Sequence, residues 1–218
     1  MKLLHTLTQK PWQDSGQLPE AGAHRDAGSV GLWVALAVIT SLFTLFMLSA
    51  IIRSQSPDWQ PLTEQPWQPL FRLTPLWINT LVLLGSSLVM QLSCLQRRDG
   101  GGRPAVALGL ALALLFLIGQ WSVWQSFAEQ GFGLQSGPAA GFYFLLTGLH
   151  ALHLLAALLV VALILPQLWR ESGDRRLRLL TRYWHYLFLI WCVLFALVSR
   201  PPATYKVLAA LCGIDVGG

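Results

Sequence analysis

Three histidines of this sequence lie in apolar stretches, where an imidazole could bind a metal ion, ligate haem or form buried hydrogen bonds. His150 and His153 are three residues apart in GFYFLLTGLHALHLLAA (residues 141–157), and His185 lies in the segment YWH. An imidazole in hydrocarbon has no water to bond with, so such residues normally face a helix bundle, a cavity or a partner. The pair in residues 141–157 therefore indicates the inward face of a helix.

A metal site is one interpretation of these histidines. Two histidines at positions i and i+3 of a helix can share a metal ion, and a third from the next helix would complete a site like a zinc or copper centre. However, no Asp or Glu lies within the apolar stretches, and no Cys is adjacent in sequence to provide a fourth ligand. Histidines that bond Thr, Tyr or backbone carbonyls are the commoner outcome in a bundle. We therefore predict no catalytic, cofactor-binding or metal-binding residue, and keep an independent membrane carrier or metal-binding protein as the alternative of another class.

The composition indicates which elements must hold these side chains. The 218 residues are 54% hydrophobic and 11% charged, with a mean hydropathy of +0.53, which is too little polar surface for a soluble globule of this size. A helix needs about 20 apolar residues to cross a bilayer. Five segments are long enough, at about residues 31–52, 75–95, 105–127, 141–168 and 181–199. The predicted fold is all-α, a polytopic membrane protein with five transmembrane helices.

The positive charges predict how these helices are oriented. Eleven of the 15 Lys and Arg residues fall in the N-terminal tail, in the second loop, and in or beside the fourth loop, and the other four fall on the opposite side. The positive-inside bias then predicts a cytoplasmic N-terminus and an external C-terminus. We expect a cytoplasmic tail (1–29), a five-helix transmembrane domain (30–199) and an external tail (200–218). Topology and lipid headgroups explain arginines that flank spans, so no nucleic-acid partner is expected.

Polar residues form a stripe on the fourth predicted span. Tyr143, Thr147, His150 and His153 follow one another at spacings of four, three and three residues, so all four are expected to meet the same neighbouring helix. Gln120, near the end of the third span, is expected to hydrogen-bond across the bundle.

The second predicted span has a polar face of its own. Asn79 and Ser86 are seven residues apart, which is two helical turns, and small residues lie beside them. Small and hydroxyl side chains allow helix backbones to approach closely in lipid. We expect this face to pack against another helix, with a solute pathway as the less favoured alternative.

The positions of the acidic residues argue against several kinds of chemistry. All ten, from Asp14 to Asp215, fall in tails, loops or at membrane edges. A proton-coupled transporter with a buried Asp or Glu is therefore poorly supported. Haem between His150 and His185 is conceivable, but three membrane histidines supply at most one axial pair. A polar interior without redox or catalytic groups fits a subunit better than an enzyme.

Four segments carry patterns that are more specific than composition. They are LWINTLVLLGSS (76–87), GQWSVWQ (119–125), FYFLLTGLHALHLL (142–155) and YWHYLFLIWCVLF (183–195). Together they resemble the sequence marks of subunit III of the haem-copper terminal oxidases, in the short five-helix bacterial form. The patterns TGxHxxHxxxA and YWHxxxxxW are specific in combination, and the resemblance runs from about Gly31 to Ser199.

The resemblance implies a function for the whole chain. Subunit III carries no redox centre, because haem and copper reside in subunits I and II. It is expected to bind phospholipid, steady the catalytic subunit and support proton uptake in a complex that oxidises cytochrome c or quinol, reduces oxygen to water and pumps protons. The expected partners are subunit I above all, subunit II and membrane lipids, in the bacterial cytoplasmic (inner) membrane. A subunit III-like component of a nitric oxide reductase is the alternative within the superfamily.

The resemblance also assigns structural roles to individual residues. The matching positions of the family form an inner polar cluster with accompanying amides: Asn79, Gln120, Thr147, His150, His153, Tyr183, Trp184 and His185. Three positions depart from the family pattern, since Ile39, Val123 and Leu187 stand where the family often has an acidic residue. The roles of those carboxylates do not carry over to this chain.

Overall fold

The structure is a computed structural model that describes residues 23–63, 69–70, 72–96, 102–168, 173–211 and 213. All the regular elements in these residues are helices, which confirms the all-α prediction. The helices are α1 (Ala23–Arg53), α2 (Thr74–Gln96), α3 (Arg103–Glu129), α4 (Pro138–Leu168), α5 (Gly173–Val198) and α6 (Pro202–Leu211).

Helices α1 to α5 each contain a segment long and apolar enough to cross a membrane, which confirms the five predicted spans. These segments are Gly28–Arg53, Thr74–Gln96, Arg103–Glu129, Pro138–Pro166 and Arg175–Val198. All five spanning helices begin before the predicted bounds, and two begin a full eight residues earlier: α1 at Ala23, inside the predicted N-terminal tail, and α5 at Gly173. Charged residues limit an apolar segment, but they do not interrupt backbone hydrogen bonds, so a helix can extend beyond the hydrocarbon. Residues 1–22 of the predicted tail lie outside the described residues.

The chain divides into two compact units, Met1–Ala35 and Leu36–Gly218. The described part of the first unit is the beginning of α1. All contacts discussed below lie within the second unit, which contains the rest of α1 and all of α2 to α6.

Two apolar clusters hold the second unit together. The larger one joins α2, α3, α4 and α5 and includes the fully buried Met90, Phe116 and Trp191. The smaller one packs Phe43 of α1 against α4 and α5, and it also contains Ala209 of α6. Because lipid is as apolar as these side chains, their contribution is close van der Waals packing and not removal from water.

The segment that follows α1 folds over one end of the bundle. Arg53 and Asp58 form an ion pair, and the hydrogen bond from Arg53 lowers the pKa of the Asp58 carboxyl. Trp59 contacts the ring of Tyr205 on α6 at a centroid distance of 6.0 Å. The hydroxyl of Tyr205 donates to the carbonyl of Leu197 over 2.9 Å, and burial raises the pKa of Tyr205 to about 12. Helix α6 is therefore docked on the bundle, although it lies in the predicted external tail and is too short to span.

Candidate functional site

The stripe on α4 divides between two neighbours. Tyr143, Thr147 and His150 are buried, whereas His153 is partly exposed and lies against Phe43 of α1, with ring centroids 5.5 Å apart. The prediction that all four residues meet the same helix is therefore wrong. Each three-residue step falls about 60° short of a full helical turn, so two such steps carry His153 away from the face of Thr147.

The buried end of the stripe belongs to a hydrogen-bonded chain that crosses three helices. Asn79 of α2 donates from Nδ2 to Oε1 of Gln120 on α3 over 3.5 Å, which is a long contact. Nε2 of Gln120 donates to the hydroxyl oxygen of Tyr143 on α4 over 3.3 Å. Beside it, Trp124 Nε1 donates to Oγ1 of Thr147 over 3.2 Å. The prediction that Gln120 bonds across the bundle is confirmed.

A glycine makes room for this chain. A Cβ placed on Gly119 of α3 would lie 2.1 Å from Oδ1 of Asn79, which is closer than any carbon and oxygen can approach without displacement. Glycine at this position lets the Asn79 amide lie directly against the α3 backbone. Sequence reasoning identified both amides but not Gly119, although it immediately precedes Gln120.

Tryptophan indoles tie α5 to α2 by a second set of bonds. Trp184 Nε1 donates to Oγ of Ser86 over 2.9 Å, and that hydroxyl donates to the carbonyl of Gly109 on α3 over 2.7 Å. Further along, Trp191 Nε1 donates to Oγ1 of Thr80 over 3.0 Å. The predicted packing face of α2 is confirmed, because Ser86 is fully buried between helices.

His185 lies on the side of α5 that faces α2. Its Nδ1 is 2.5 Å from Oγ of Ser87, and its Nε2 is 3.1 Å from Oε1 of Gln91. The neighbouring Tyr183 turns elsewhere and stacks with Tyr186 at a centroid distance of 6.4 Å. Consecutive helical residues point about 100° apart, so the three residues of YWH cannot share a partner. The four-residue spacing of Ser87 and Gln91 was the sequence signal for a common face.

His150 contradicts the expectation of hydrogen-bonded histidines. It is fully buried, and within the described part of the chain neither ring nitrogen has a hydrogen-bond partner. Its ring lies instead between Phe116, at 5.8 Å edge to face, and Trp191, at 5.2 Å. The expectation holds for His153, whose Nδ1 lies 2.8 Å from the carbonyl of Leu149. His185 is also hydrogen-bonded, but to Ser87 and Gln91 and not to Thr, Tyr or a backbone carbonyl.

The three histidines thus lie in three different environments. His150 lies among aromatic rings, His153 faces α1, and His185 bonds α2. Among the described residues, no three His, Cys, Asp or Glu side chains are close enough together to hold a metal ion. The convergence of ligands that the metal-binding alternative requires is not found in that part of the chain.

The three positions at which the resemblance implied acidic residues are occupied by packed apolar side chains. Leu187 is fully buried and Val123 is 8% exposed, both in the larger cluster. Ile39 packs on the smaller cluster of α1, α4 and α5. A carboxylate at Leu187 would need a partner that its apolar surroundings do not provide, whereas Val123 also lines a groove that contains Arg72 and Asn79.

Fold and polar contacts define the class as a polytopic helical membrane protein whose interior side chains join helices to one another. The family model described as cytochrome c oxidase subunit III matches residues 29–200. This chain belongs to that family, the subunit III family of the haem-copper oxidases.

Individual relatives agree with the family model. Cytochrome c oxidase subunit 3 of Thermostichus vulcanus is 30% identical over 190 residues, which cover 82% of this chain and 89% of the relative. The protein of the same name from Synechocystis sp. is 29% identical over 187 residues, 80% of this chain and 76% of the relative. Cytochrome bo(3) ubiquinol oxidase subunit 3 of Pseudomonas aeruginosa is 25% identical over 192 residues, 81% of this chain and 87% of the relative. This chain is thus similar to subunits of both cytochrome c and quinol oxidases.

Proposed function

We propose that this chain is the non-catalytic subunit III of a haem-copper respiratory oxidase in a bacterial cytoplasmic membrane. The match of the family model over residues 29–200 carries the proposal. The chain steadies the catalytic subunit and so supports the reduction of oxygen to water and the coupled pumping of protons. Its N-terminus is cytoplasmic and its C-terminus external, as the positive charges indicate.

The partners follow from this role. Subunit I is the main partner and subunit II the second, and haem and copper reside in them. The electron donor is cytochrome c or a quinol, since relatives named for both donors resemble this chain.

The polar residues of the interior act structurally in this proposal. Asn79, Gln120 and Tyr143 join α2, α3 and α4, and Trp184 joins α5 to α2. In the sequence of the five spans the only acidic residue is Glu129, which ends α3. Because the spans have no interior carboxylate to carry a proton, the chain supports proton uptake by stabilising the structure of its partner subunit.

Phospholipid binding is the other part of the proposed role. A groove of about 440 Å³ lies between the start of α2 and the end of α3. The cation of Arg72 lies beside it, Asn79 and Ser126 add polar groups, and Ile78 and Phe127 form apolar walls. A cation next to apolar walls suits a headgroup phosphate and its acyl chain.

Purification through a C-terminal tag in mild detergent tests the proposal. Mass spectrometry and a reduced-minus-oxidised spectrum would be recorded on the proteins that comigrate. A haem-copper subunit I with oxygen turnover is the expected result. Nitric oxide turnover would instead support the alternative in which the chain is part of a nitric oxide reductase. A lone, haem-free protein that binds metal would refute the subunit assignment.

A further inference from the structure

Helix α6 lies at the level where two of the spans end. Residues 199–201 alone separate it from α5, and two hydrogen bonds of Tyr205 hold it in place. The Tyr205 hydroxyl donates to the carbonyl of Leu197, one residue before the spanning segment of α5 ends. The Tyr205 carbonyl accepts a long 3.5 Å bond from Nε2 of Gln55, two residues after the spanning segment of α1 ends. The ends of two spans mark the boundary between hydrocarbon and headgroups, so α6 lies at that boundary.

The exposed side of α6 has an apolar half and a cationic half. The opposite side packs on the bundle, with Ala209 fully buried in the smaller cluster. Val207 is 59% exposed and Leu211 is 79% exposed, and Lys206 is exposed as well. Helical residues follow one another at about 100°, which places Val207 and Leu211 about 40° apart around the axis. Lys206 lies about 100° from Val207 and about 140° from Leu211.

The charges at this end of the bundle complement anionic headgroups. Arg200 and Lys206 are exposed, and residues 199–214 of the sequence contain no Asp or Glu. Arg53, at the end of α1, is already paired with Asp58. A lysine can keep its methylene stem over apolar surface while its ammonium group reaches a phosphate. Basic residues next to a span are attracted to anionic lipids in this way.

We propose that α6 is an interfacial helix that binds the membrane surface. Val207 and Leu211 insert among the acyl chains, and Lys206 contacts the phosphates of anionic lipids. The bilayer around the five spans extends to the level of α6, so lipid is the neighbour of its exposed side. A helix with an apolar face and a basic flank binds membranes in this orientation. The inference goes beyond the proposed function, because α6 follows the residues that the family model matches and needs no partner subunit.

Photocrosslinking in lipid nanodiscs tests the contact with acyl chains. The full chain, with any subunits that copurify, would be placed in equal parts of phosphatidylglycerol and phosphatidylcholine. The crosslinking amino acid p-benzoylphenylalanine would replace Val207 or Leu211, or Lys206 as the matched control on the cationic half. We expect several-fold more phospholipid adducts from the first two positions than from the control. Protein adducts in place of lipid adducts at Val207 and Leu211, or equal lipid adducts from all three positions, would overturn the inference.

A charge substitution tests the contact with headgroups. With the crosslinker at Leu211, Lys206→Gln should lower the ratio of phosphatidylglycerol to phosphatidylcholine adducts by about fivefold, the factor for one basic residue at an anionic surface. Arg178→Gln is the matched control, because it removes an exposed cation about 30 Å along α5 from Val198. We expect an unchanged ratio in this control. No change in Lys206→Gln, or an equal fall in both variants, would contradict the headgroup contact.

Discussion

The amide pair and His150 are buried polar features of one bundle, but among the residues that the structure describes only the amides have hydrogen-bond partners. Asn79 and Gln120 contact each other where Gly119 lets α2 and α3 approach. His150 is enclosed by the rings of Phe116 and Trp191, which offer its nitrogens no partner. The comparison shows that the neighbours, and not the kind of side chain, decide which polar residues join helices.

The two regions should therefore respond differently to substitution. Removing one partner of a buried hydrogen bond leaves the other unsatisfied, at about 1 to 3 kcal/mol. Replacing a buried group that has no partner removes a desolvation cost and loses no bond. Stability of the purified protein in mixed micelles, measured by titration with denaturing detergent, can separate the two cases.

Gly119→Ala is expected to have the largest effect on the partnered region. The new methyl group would displace the Asn79 amide, because its Cβ would lie 2.1 Å from Oδ1. We expect the free energy of unfolding to fall by about 3 kcal/mol, as in overpacked cores. Gly85→Ala is the matched control, since its nearest neighbour, Cδ1 of Leu112, lies at an ordinary 3.7 Å. Equal losses in both variants would contradict the close approach.

Ser86→Ala should have the next largest effect. It removes the acceptor of the Trp184 indole and the donor to the Gly109 carbonyl. We expect a loss of about 2 kcal/mol from the unsatisfied indole. Ser122→Ala serves as control, because among the described residues that exposed hydroxyl bonds just the carbonyl of Ile118 in its own helix. A change no larger than the control would argue against the α2–α5 bond.

His150→Phe tests the unpartnered region. Phenylalanine keeps the aromatic contacts with Phe116 and Trp191 and removes two ring nitrogens that have no hydrogen-bond partner in the described part of the chain. We expect the free energy of unfolding to stay within about 1 kcal/mol of that of the unsubstituted protein, or to rise. The parallel variant Gln120→Leu should lose stability, because Tyr143 and Asn79 both contact that amide. A clear loss in His150→Phe would mean that His150 has a polar partner.

Tyr205 is a further polar residue with a hydrogen-bond partner. Its effect on stability is expected only at high pH. Its pKa is raised to about 12, because burial disfavours the tyrosinate. A raised pKa contributes stability that is complete below about pH 10, the ordinary tyrosine value, and is lost as the pH rises toward 12. Tyrosinate absorbance followed together with unfolding should show this loss. In Tyr205→Phe the loss should be smaller, and an unchanged pH profile would refute the assignment.

The sequence was sufficient to predict the helices and their buried faces, but not which side chains contact one another. Long apolar segments predicted the five spans, and helical spacing predicted the buried face of Asn79 and Ser86. Spacing does not give the rotation of one helix relative to the next, so it could not show that His153 turns toward α1 or that rings enclose His150. The role of Gly119 depends on a close contact between helices, which only the structure reveals.

The proposed role of this chain is to stabilise an oxidase without holding a redox centre itself. The most direct test is the haem spectrum and the turnover half-life of assembled complexes that carry Gln120→Leu, His150→Phe or His185→Phe. We predict an unchanged haem spectrum in all three, with a shorter half-life in Gln120→Leu. Loss of the haem spectrum from a fully assembled histidine variant would contradict the claim, because it would make that histidine a ligand.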